Sequence, residues 1–145
     1  QRMLHQMSKG PEANFWSTLR ANLPKNSHAT RIENKHGGGV PDVHMVWEGY
    51  AFWLELKVSK TNAINLSPHQ VAWNAAYSAR GGLNFFLVKR SSTRELLLFG
   101  GEQGPAVLEQ GCSAPCVLRA CGPASFFSAL RPILEARAPC GPAAG

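Results

Sequence analysis

Residues 37–57 read GGGVPDVHMVWEGYAFWLELK, and this stretch decides how the chain is expected to fold. Residues 42–47 and 50–58 are rich in valine and aromatic residues, which favour strands. Glu48-Gly49 lies between them and is a turn signal. The stretch therefore predicts a β-hairpin closed by a two-residue turn.

The turn sets the register of the hairpin. If Glu48 and Gly49 form the turn, Trp47 pairs with Tyr50, and each step back along one strand matches a step forward along the other. This register places Asp42 opposite Glu55 on one face of the sheet, with Lys57 two residues further on the same face. Because glutamate disfavours the positive φ of such a turn, a bulge that shifts the register by one residue is the alternative.

Two carboxylates and an amine thus converge in a strand that is otherwise apolar on both faces. Opposed carboxylates repel one another, and burying charged groups without partners is costly. A hard divalent cation removes that repulsion, since Mg²⁺ takes oxygen ligands and keeps waters for a phosphate substrate. The alternative is an exposed salt bridge among Asp42, Glu55 and Lys57.

The motifs around the hairpin resemble those of the PD-(D/E)XK nuclease superfamily. They are the Gly-rich loop with Pro41-Asp42, Glu55-Leu56-Lys57, Arg31-Ile32-Glu33-Asn34 and Ser67-Pro68-His69-Gln70. Residues 12–99 are most similar to the small stand-alone VRR-NUC nucleases of phages, and more distantly to Holliday-junction resolvases of archaea and Gram-positive bacteria. The resemblance implies an α/β fold: a single-domain restriction-endonuclease-like core with a central mixed β-sheet flanked by helices.

The resemblance also implies roles for individual residues. Asp42, Glu55, Lys57 and Gln70 match catalytic positions. The implied metal ligands are Asp42, Glu55, the backbone carbonyl of Leu56 and Glu12, with Mg²⁺ as the cofactor and Mn²⁺ expected to substitute.

Several residues near these motifs are candidates for binding nucleic acid. Positive charge precedes the acidic motif, the glycines would let a DNA backbone approach closely, and two more basic groups follow the hairpin. The candidates are Arg31, Lys35, His36, Gly38, Lys60 and His69.

Three functions fit these observations. The first is a Mg²⁺-dependent endodeoxyribonuclease that acts on branched DNA such as a Holliday junction, as a homodimer, and that is encoded by a phage or prophage. The second is a catalytically inactive nucleic-acid-binding module on the same fold. The third is an unrelated basic α/β protein whose acidic patch is a salt bridge. For the homodimer, the C-terminal helix and the surroundings of Trp16 are both candidate interfaces.

Composition agrees with a small globular domain that binds a polyanion. The chain has 145 residues, of which 44% are hydrophobic, and 15 Lys and Arg against 9 Asp and Glu give a net charge of +6. It contains no apolar run of about 18 residues and no signal-peptide pattern, so we expect a cytoplasmic protein without membrane contact. No Gly-Lys-Ser/Thr follows the glycines, so no nucleotide cofactor is expected.

The four cysteines match no usual zinc pattern and are expected to be reduced, small apolar residues. They are Cys112, Cys116, Cys121 and Cys140.

Hydrophobic patterning divides the chain into a flexible start (1–10), one folded domain (11–137) and a flexible tail (138–145), and the resemblance implies that the folded part is a nuclease domain. Helices are expected from Pro11 to before Pro24, over 68–80 and over 125–136, where Pro132 weakens the last one. Residues 100–111 read as a loop. Strands are expected over 28–34, 42–47, 50–58, 83–89, 95–99 and 115–120.

Overall fold

The computed structural model describes residues 10–33 and 38–139 of the chain. In chain order the elements are α1 (Pro11–Arg20), β1 (Ser27–Arg31), β2 (Val43–Trp47), β3 (Tyr50–Ser59), α2 (Pro68–Ala79), β4 (Asn84–Arg90), β5 (Leu96–Gly100), α3 (Gly104–Gln110), β6 (Leu118–Ala120) and α4 (Pro123–Arg137). Short 3-10 turns at Gly101–Gln103 and Gly111–Ser113 flank α3.

The strands form one six-stranded sheet in the order β1-β2-β3-β4-β5-β6. All neighbours are antiparallel except β3 and β4, which are parallel because α2 connects them in a crossover. The prediction of a single α/β domain with a central mixed sheet flanked by helices is confirmed.

The hairpin has the predicted register. Trp47 pairs with Tyr50, and the pairing continues to Val43 opposite Leu54 without a bulge. Glu48 and Gly49 both adopt positive φ, at 50° and 85°, which is the two-residue turn that matches strand twist.

Asp42 does not extend this ladder as a strand residue. It lies in a bend just before β2, and its backbone carbonyl accepts a 2.7 Å hydrogen bond from the N–H of Ile32. The expected strand pair between Asp42 and Glu55 is therefore replaced by contacts of the Asp42 side chain, described below.

The sheet separates two apolar cores. On one face α1 and α4 cover the larger core, to which they contribute Phe15, Leu19, Phe126, Phe127, Leu130 and Leu134. On the other face α2 and α3 cover the smaller core, which includes Ile64, Leu66, Phe86, Val88, Leu97, Phe99, Val107 and Cys112. Alternation along β3 sends Phe52, Leu54 and Leu56 into the larger core, so Trp53, Glu55 and Lys57 point to the opposite face.

Two sequence expectations need correction, and the C-terminal helix expected over 125–136 is confirmed. Residues 100–111 are not a loop, because α3 occupies Gly104–Gln110 with Val107 fully buried, and the bordering glycines hid it. The C-terminal helix runs through Pro132 to Arg137. Its large apolar residues pack on the sheet, and the exposed large apolar residues of the described ranges, Val46 and Leu108, lie elsewhere. The interface expected on that helix is therefore not present as an exposed apolar face.

The expected flexible ends lie largely outside the described residues, as does Cys140. Cys112, Cys116 and Cys121 are free thiols, and Cys112 is buried in the smaller core as expected of an apolar residue. No helix in the described ranges has the length and apolarity needed to cross a membrane.

Candidate active site

The site lies at the end of β3 that extends past the first residue of β2. There the β2-facing edge of β3 has no neighbouring strand among the described residues. Two acidic side chains take the strand's place at this edge. Asp42 Oδ2 accepts a 2.8 Å hydrogen bond from the N–H of Leu56, and Glu12 Oε2 accepts a 3.1 Å hydrogen bond from the N–H of Val58. Both carboxylates thus satisfy backbone donors that would otherwise lack strand partners.

The same geometry orients the carbonyl of Leu56. In an extended strand the N–H and C=O of one residue point to the same side, so the Leu56 carbonyl opens toward the edge that Asp42 occupies. The peptide group bound by Asp42 is the one that joins Glu55 to Leu56. Asp42 therefore binds the peptide group next to the Glu55 side chain, and the Leu56 carbonyl, in the following peptide group, opens toward the same edge.

Glu55 is almost completely buried, with 2% of its surface exposed. Its Oε2 accepts a 3.0 Å hydrogen bond from Nε2 of Gln70 in the first turn of α2. Gln70 also closes the helix cap, because its Oε1 accepts from the N–H of Ser67 while its own N–H donates to the Ser67 hydroxyl. One side chain thus ties the start of α2 to the buried carboxylate.

A buried polar network behind Gln70 was not predicted from the sequence. Asn74 donates to the backbone carbonyl of Gln70 at 2.8 Å, and Asn84 on β4 donates to the side-chain oxygen of Asn74 at 2.9 Å. Ser78 in turn donates to the Asn84 oxygen at 2.8 Å. The sequence signal was two asparagines at positions that otherwise read as apolar, and the network fixes α2 relative to the sheet and hence Gln70 relative to Glu55.

Lys57 follows Glu55 by two residues and shares its sheet face. It is partly buried, and it forms no ion pair with another residue in the described part of the chain. Together with the burial of Glu55, this contradicts the alternative of an exposed salt bridge among Asp42, Glu55 and Lys57.

The donor set fits a hard cation with few protein ligands. Across residues 10–33 and 38–139, no three His, Cys, Asp or Glu side chains are grouped closely enough to hold a metal on their own. Mg²⁺, however, is commonly held by one or two carboxylates together with water and substrate oxygens. Asp42, Glu55 and the Leu56 carbonyl supply such a set, since a carboxylate that accepts one hydrogen bond retains further lone pairs.

Glu12 is less well placed as a ligand. Val58, whose N–H it binds, lies two residues beyond Leu56, about 6.6 Å further along the strand. In this geometry Glu12 supports the edge of β3 next to the carboxylate pair rather than joining it.

The residues expected to contact nucleic acid are distributed around this edge. Lys60, just beyond β3, and His69, in the first turn of α2, are exposed, as is Gly38. Lys35 and His36 lie outside the described residues. The structure therefore leaves Lys60, His69 and Gly38 accessible beside the site.

The glycine loop has a second role that sequence reasoning missed. Gly39 has φ of +74°, and a Cβ on it would lie 2.1 Å from the backbone oxygen of His69. Gly38 also has positive φ, at +76°, but a Cβ there would meet nothing within 4 Å. Gly39 is therefore required for the loop to pack on α2. Gly38, where a DNA backbone was expected to approach closely, faces solvent.

Arg31 lies away from Lys57, on the side of the sheet covered by α1. With Arg20, Trp16 and Glu33 it lines a cleft of about 470 Å³ between α1 and β1. Its Nε is buried and has no hydrogen-bond partner within the described residues. The cleft brings the guanidinium groups of Arg20 and Arg31 together on the α1 side of the sheet.

Comparison with known proteins adds little to this geometry. No protein-family model and no curated protein sequence matches the chain. A solved structure that it resembles is Hjc, a Holliday junction resolvase from the archaeal hyperthermophile Archaeoglobus fulgidus. The two share 16% sequence identity with a TM-score of 0.48, over 63% of this chain and 75% of the resolvase. Since a likeness at this level is too weak to carry function, the functional conclusion rests on the site residues.

Proposed function

We propose that the chain is a metal-dependent endonuclease that hydrolyses phosphodiester bonds of DNA. The observation that carries the proposal is Glu55, a carboxylate buried to 2% exposure and held by Gln70, beside Asp42 at an open strand edge. Carboxylate oxygens fixed by hydrogen bonds at such an edge are the ligands that Mg²⁺ prefers, and the ion keeps open positions for water and a phosphate. The net charge of +6 favours a polyanionic substrate.

Each group has a defined task in this proposal. Asp42, Glu55 and the Leu56 carbonyl would hold Mg²⁺ or Mn²⁺, which would supply Lewis acidity to the phosphoryl group and to a bound water. Lys57 orients the attacking water and offsets negative charge that develops on the phosphate. Gln70 keeps Glu55 in position, while Glu12 supports the strand edge.

We further propose that the substrate is branched DNA. A domain of this size offers few elements to read base edges, so recognition of shape and backbone is favoured over sequence. Arg31, Lys60 and His69 would contact phosphates, and Lys35 and His36 remain expected contacts. Symmetric cutting of a four-way junction requires two sites and hence a homodimer. The bacterial cytoplasm and a phage or prophage origin rest on the sequence resemblance alone.

The experiment is cleavage of a labelled four-way junction beside linear duplex of the same arm sequence, in Mg²⁺, in Mn²⁺ and with EDTA. We expect metal-dependent cutting that favours the junction. Equal cutting of both DNAs would retain the nuclease and reject the branched substrate. Tight binding without cutting in either metal would instead support the inactive binding module.

A further inference from the structure

Four aromatic side chains form a continuous cluster on the face of the sheet that carries Glu55. The rings of His44 and Trp53 lie 4.7 Å apart, those of Trp53 and Trp73 5.7 Å apart, and those of Trp73 and Tyr77 5.0 Å apart. The last pair is stacked, with an angle of 12° between the ring planes. We refer to these four residues as the aromatic ledge.

The ledge begins at the proposed active site. Trp53 precedes Glu55 by two residues on β3, so the two side chains share a face about 6.6 Å apart. Gln70, Trp73 and Tyr77 follow one another at helical spacing on α2, so the helix face that binds Glu55 also supplies two of the rings. A DNA strand that is bound at Glu55 and runs toward Trp53 would therefore pass over the ledge.

The ledge is not part of either apolar core. None of its members belongs to the two clusters of core residues, and all four side chains are partly exposed. The elements around the ledge carry few acidic residues, because α2, β1 and β2 contain neither Asp nor Glu. The acidic residues next to them are Asp42 and Glu55 of the proposed metal site and Glu48 of the hairpin turn, which pairs with Arg131. This surface therefore suits a polyanion that has π-faces.

A second protein chain fits the surface less well. Among the described residues, the exposed large apolar side chains are Val46, next to the ledge on β2 at 39% exposure, and Leu108, on α3 at 48%. Interfaces between identical chains usually have a more apolar core than these rings with polar edges provide.

We propose that the aromatic ledge stacks an unpaired nucleobase of the DNA strand that is bound at the carboxylate site. Paired bases have their faces covered by neighbouring bases, whereas an unpaired base can stack on a protein ring whatever its identity. The preferred substrate then has unpaired nucleotides next to the cut, as at a flap, a loop or an open junction. This inference rests on the proposed function and specifies its substrate.

The test compares two DNA probes on the full chain carrying Asp42→Asn, which prevents cutting and keeps an acceptor for the Leu56 N–H. One probe is a blunt hairpin duplex, and the other is the same hairpin with a short single-stranded extension that contains 2-aminopurine. Stacking quenches 2-aminopurine fluorescence, and anisotropy gives the affinity of each probe.

Trp73→Leu is expected to weaken binding of the extended probe roughly tenfold and to abolish the quenching, with blunt duplex changed less than about twofold. Trp73→Phe keeps an aromatic face and should retain most of both signals. Tyr50→Leu, which removes a partly buried aromatic ring on the opposite side of the sheet, beside Arg131, is the control and should change neither. Thermal melting identifies any variant that has lost its fold, and Tyr77→Leu then replaces it.

Unchanged binding of the extended probe by Trp73→Leu, or equal loss for both probes, would overturn the stacking proposal. So would sedimentation showing that Trp73→Leu turns a dimer into a monomer, because the ledge would then be a protein interface. The proposed function is judged separately. If the unmodified chain cuts DNA and the ledge variants bind both probes as wild type does, only the stacking proposal is rejected. If the ledge stacks the base but the unmodified chain does not cut DNA, only the nuclease proposal is rejected.

Discussion

Gln70 Nε2 donates a 3.0 Å hydrogen bond to the buried carboxylate of Glu55, while Oε1 of the same side chain accepts from the N–H of Ser67. The amide thus has a structural contact on one side and a contact with the proposed metal ligand on the other. The two can be separated by mutation, because an ionised glutamate at this position also closes a helix cap but has no proton to donate to Glu55.

Gln70→Glu should fold with its cap intact and lose roughly 10–100-fold in metal affinity or cleavage rate, the range found when groups that orient metal ligands are removed. Two adjacent carboxylates would share a proton, which raises a pKa in the folded variant. Its stability relative to wild type should therefore be best at low pH and decline as pH rises. Thermal melts between pH 4 and 8 check this, and a variant that melts like wild type at every pH would contradict the contact.

Gly39→Ala should be more destabilising than Gly38→Ala, although both glycines have similar positive φ. The left-handed conformation alone costs alanine about 1–2 kcal/mol, and this is the expected loss at Gly38. At Gly39 the methyl group would also collide with the backbone of His69, which cannot move without shifting the start of α2. Urea unfolding of both variants gives the difference, and equal losses would show that Gly39 does not pack on α2.

Glu48→Asn should stabilise the hairpin, because asparagine accepts the positive φ of the turn more readily than glutamate. Glu48 also pairs with Arg131 at 3.1 Å, but both side chains are substantially exposed and the pair contributes little. Glu48→Gln removes the charge without improving the turn and serves as the control. The free energy of unfolding of Glu48→Asn should be about 0.5–1 kcal/mol higher than that of Glu48→Gln. A Gln variant as stable as Asn would attribute the effect to charge.

Glu102 gives the fold a small dependence on pH. Burial alone would raise the pKa of Glu102, but hydrogen bonds from Arg137, a hydrogen bond to its own backbone and the Arg137 charge together lower it from its ordinary value of 4.5. A lowered folded-state pKa means that the contribution is complete above pH 4.5 and is lost as pH falls through the lower value. Since Glu102 is about half exposed, the effect should be below about 1 kcal/mol. In Glu102→Gln, the free energy of unfolding measured in urea should lose this part of its fall at acidic pH. A fall as large as in wild type would contradict the contribution of Glu102.

The sequence correctly predicted most features that depend on interactions between residues close together in the chain. Alternation and the Glu48-Gly49 turn gave the register from Trp47–Tyr50 onward, and Ser67-Pro68 gave the start of α2. What it missed depends on contacts between distant segments. Asp42 leaves the ladder because its side chain reaches the N–H of Leu56, which no local pattern encodes.

The same reason applies to the site's support. The Asn74–Asn84 network and the packing of Gly39 on His69 join residues that are adjacent only after α2 has crossed the sheet. Helix α3 was missed because Gly and Pro at its ends indicate a loop, and burial of Val107 outweighs that local signal. Lys57 was correctly placed beside Glu55 by alternation, whereas its chemical role remains a prediction.

The most direct test of the nuclease proposal is the rate at which wild type, Asp42→Asn and Glu109→Gln nick a labelled four-way junction in Mg²⁺. Asparagine can still accept from the Leu56 N–H, so Asp42→Asn removes charge at the site with little change in fold, and Glu109→Gln removes one exposed carboxylate on α3. We predict nicking by wild type and Glu109→Gln, and a loss of roughly 100-fold or more in Asp42→Asn. Nicking by Asp42→Asn at the wild-type rate, or no nicking by the wild type in Mg²⁺ or Mn²⁺, would contradict the account.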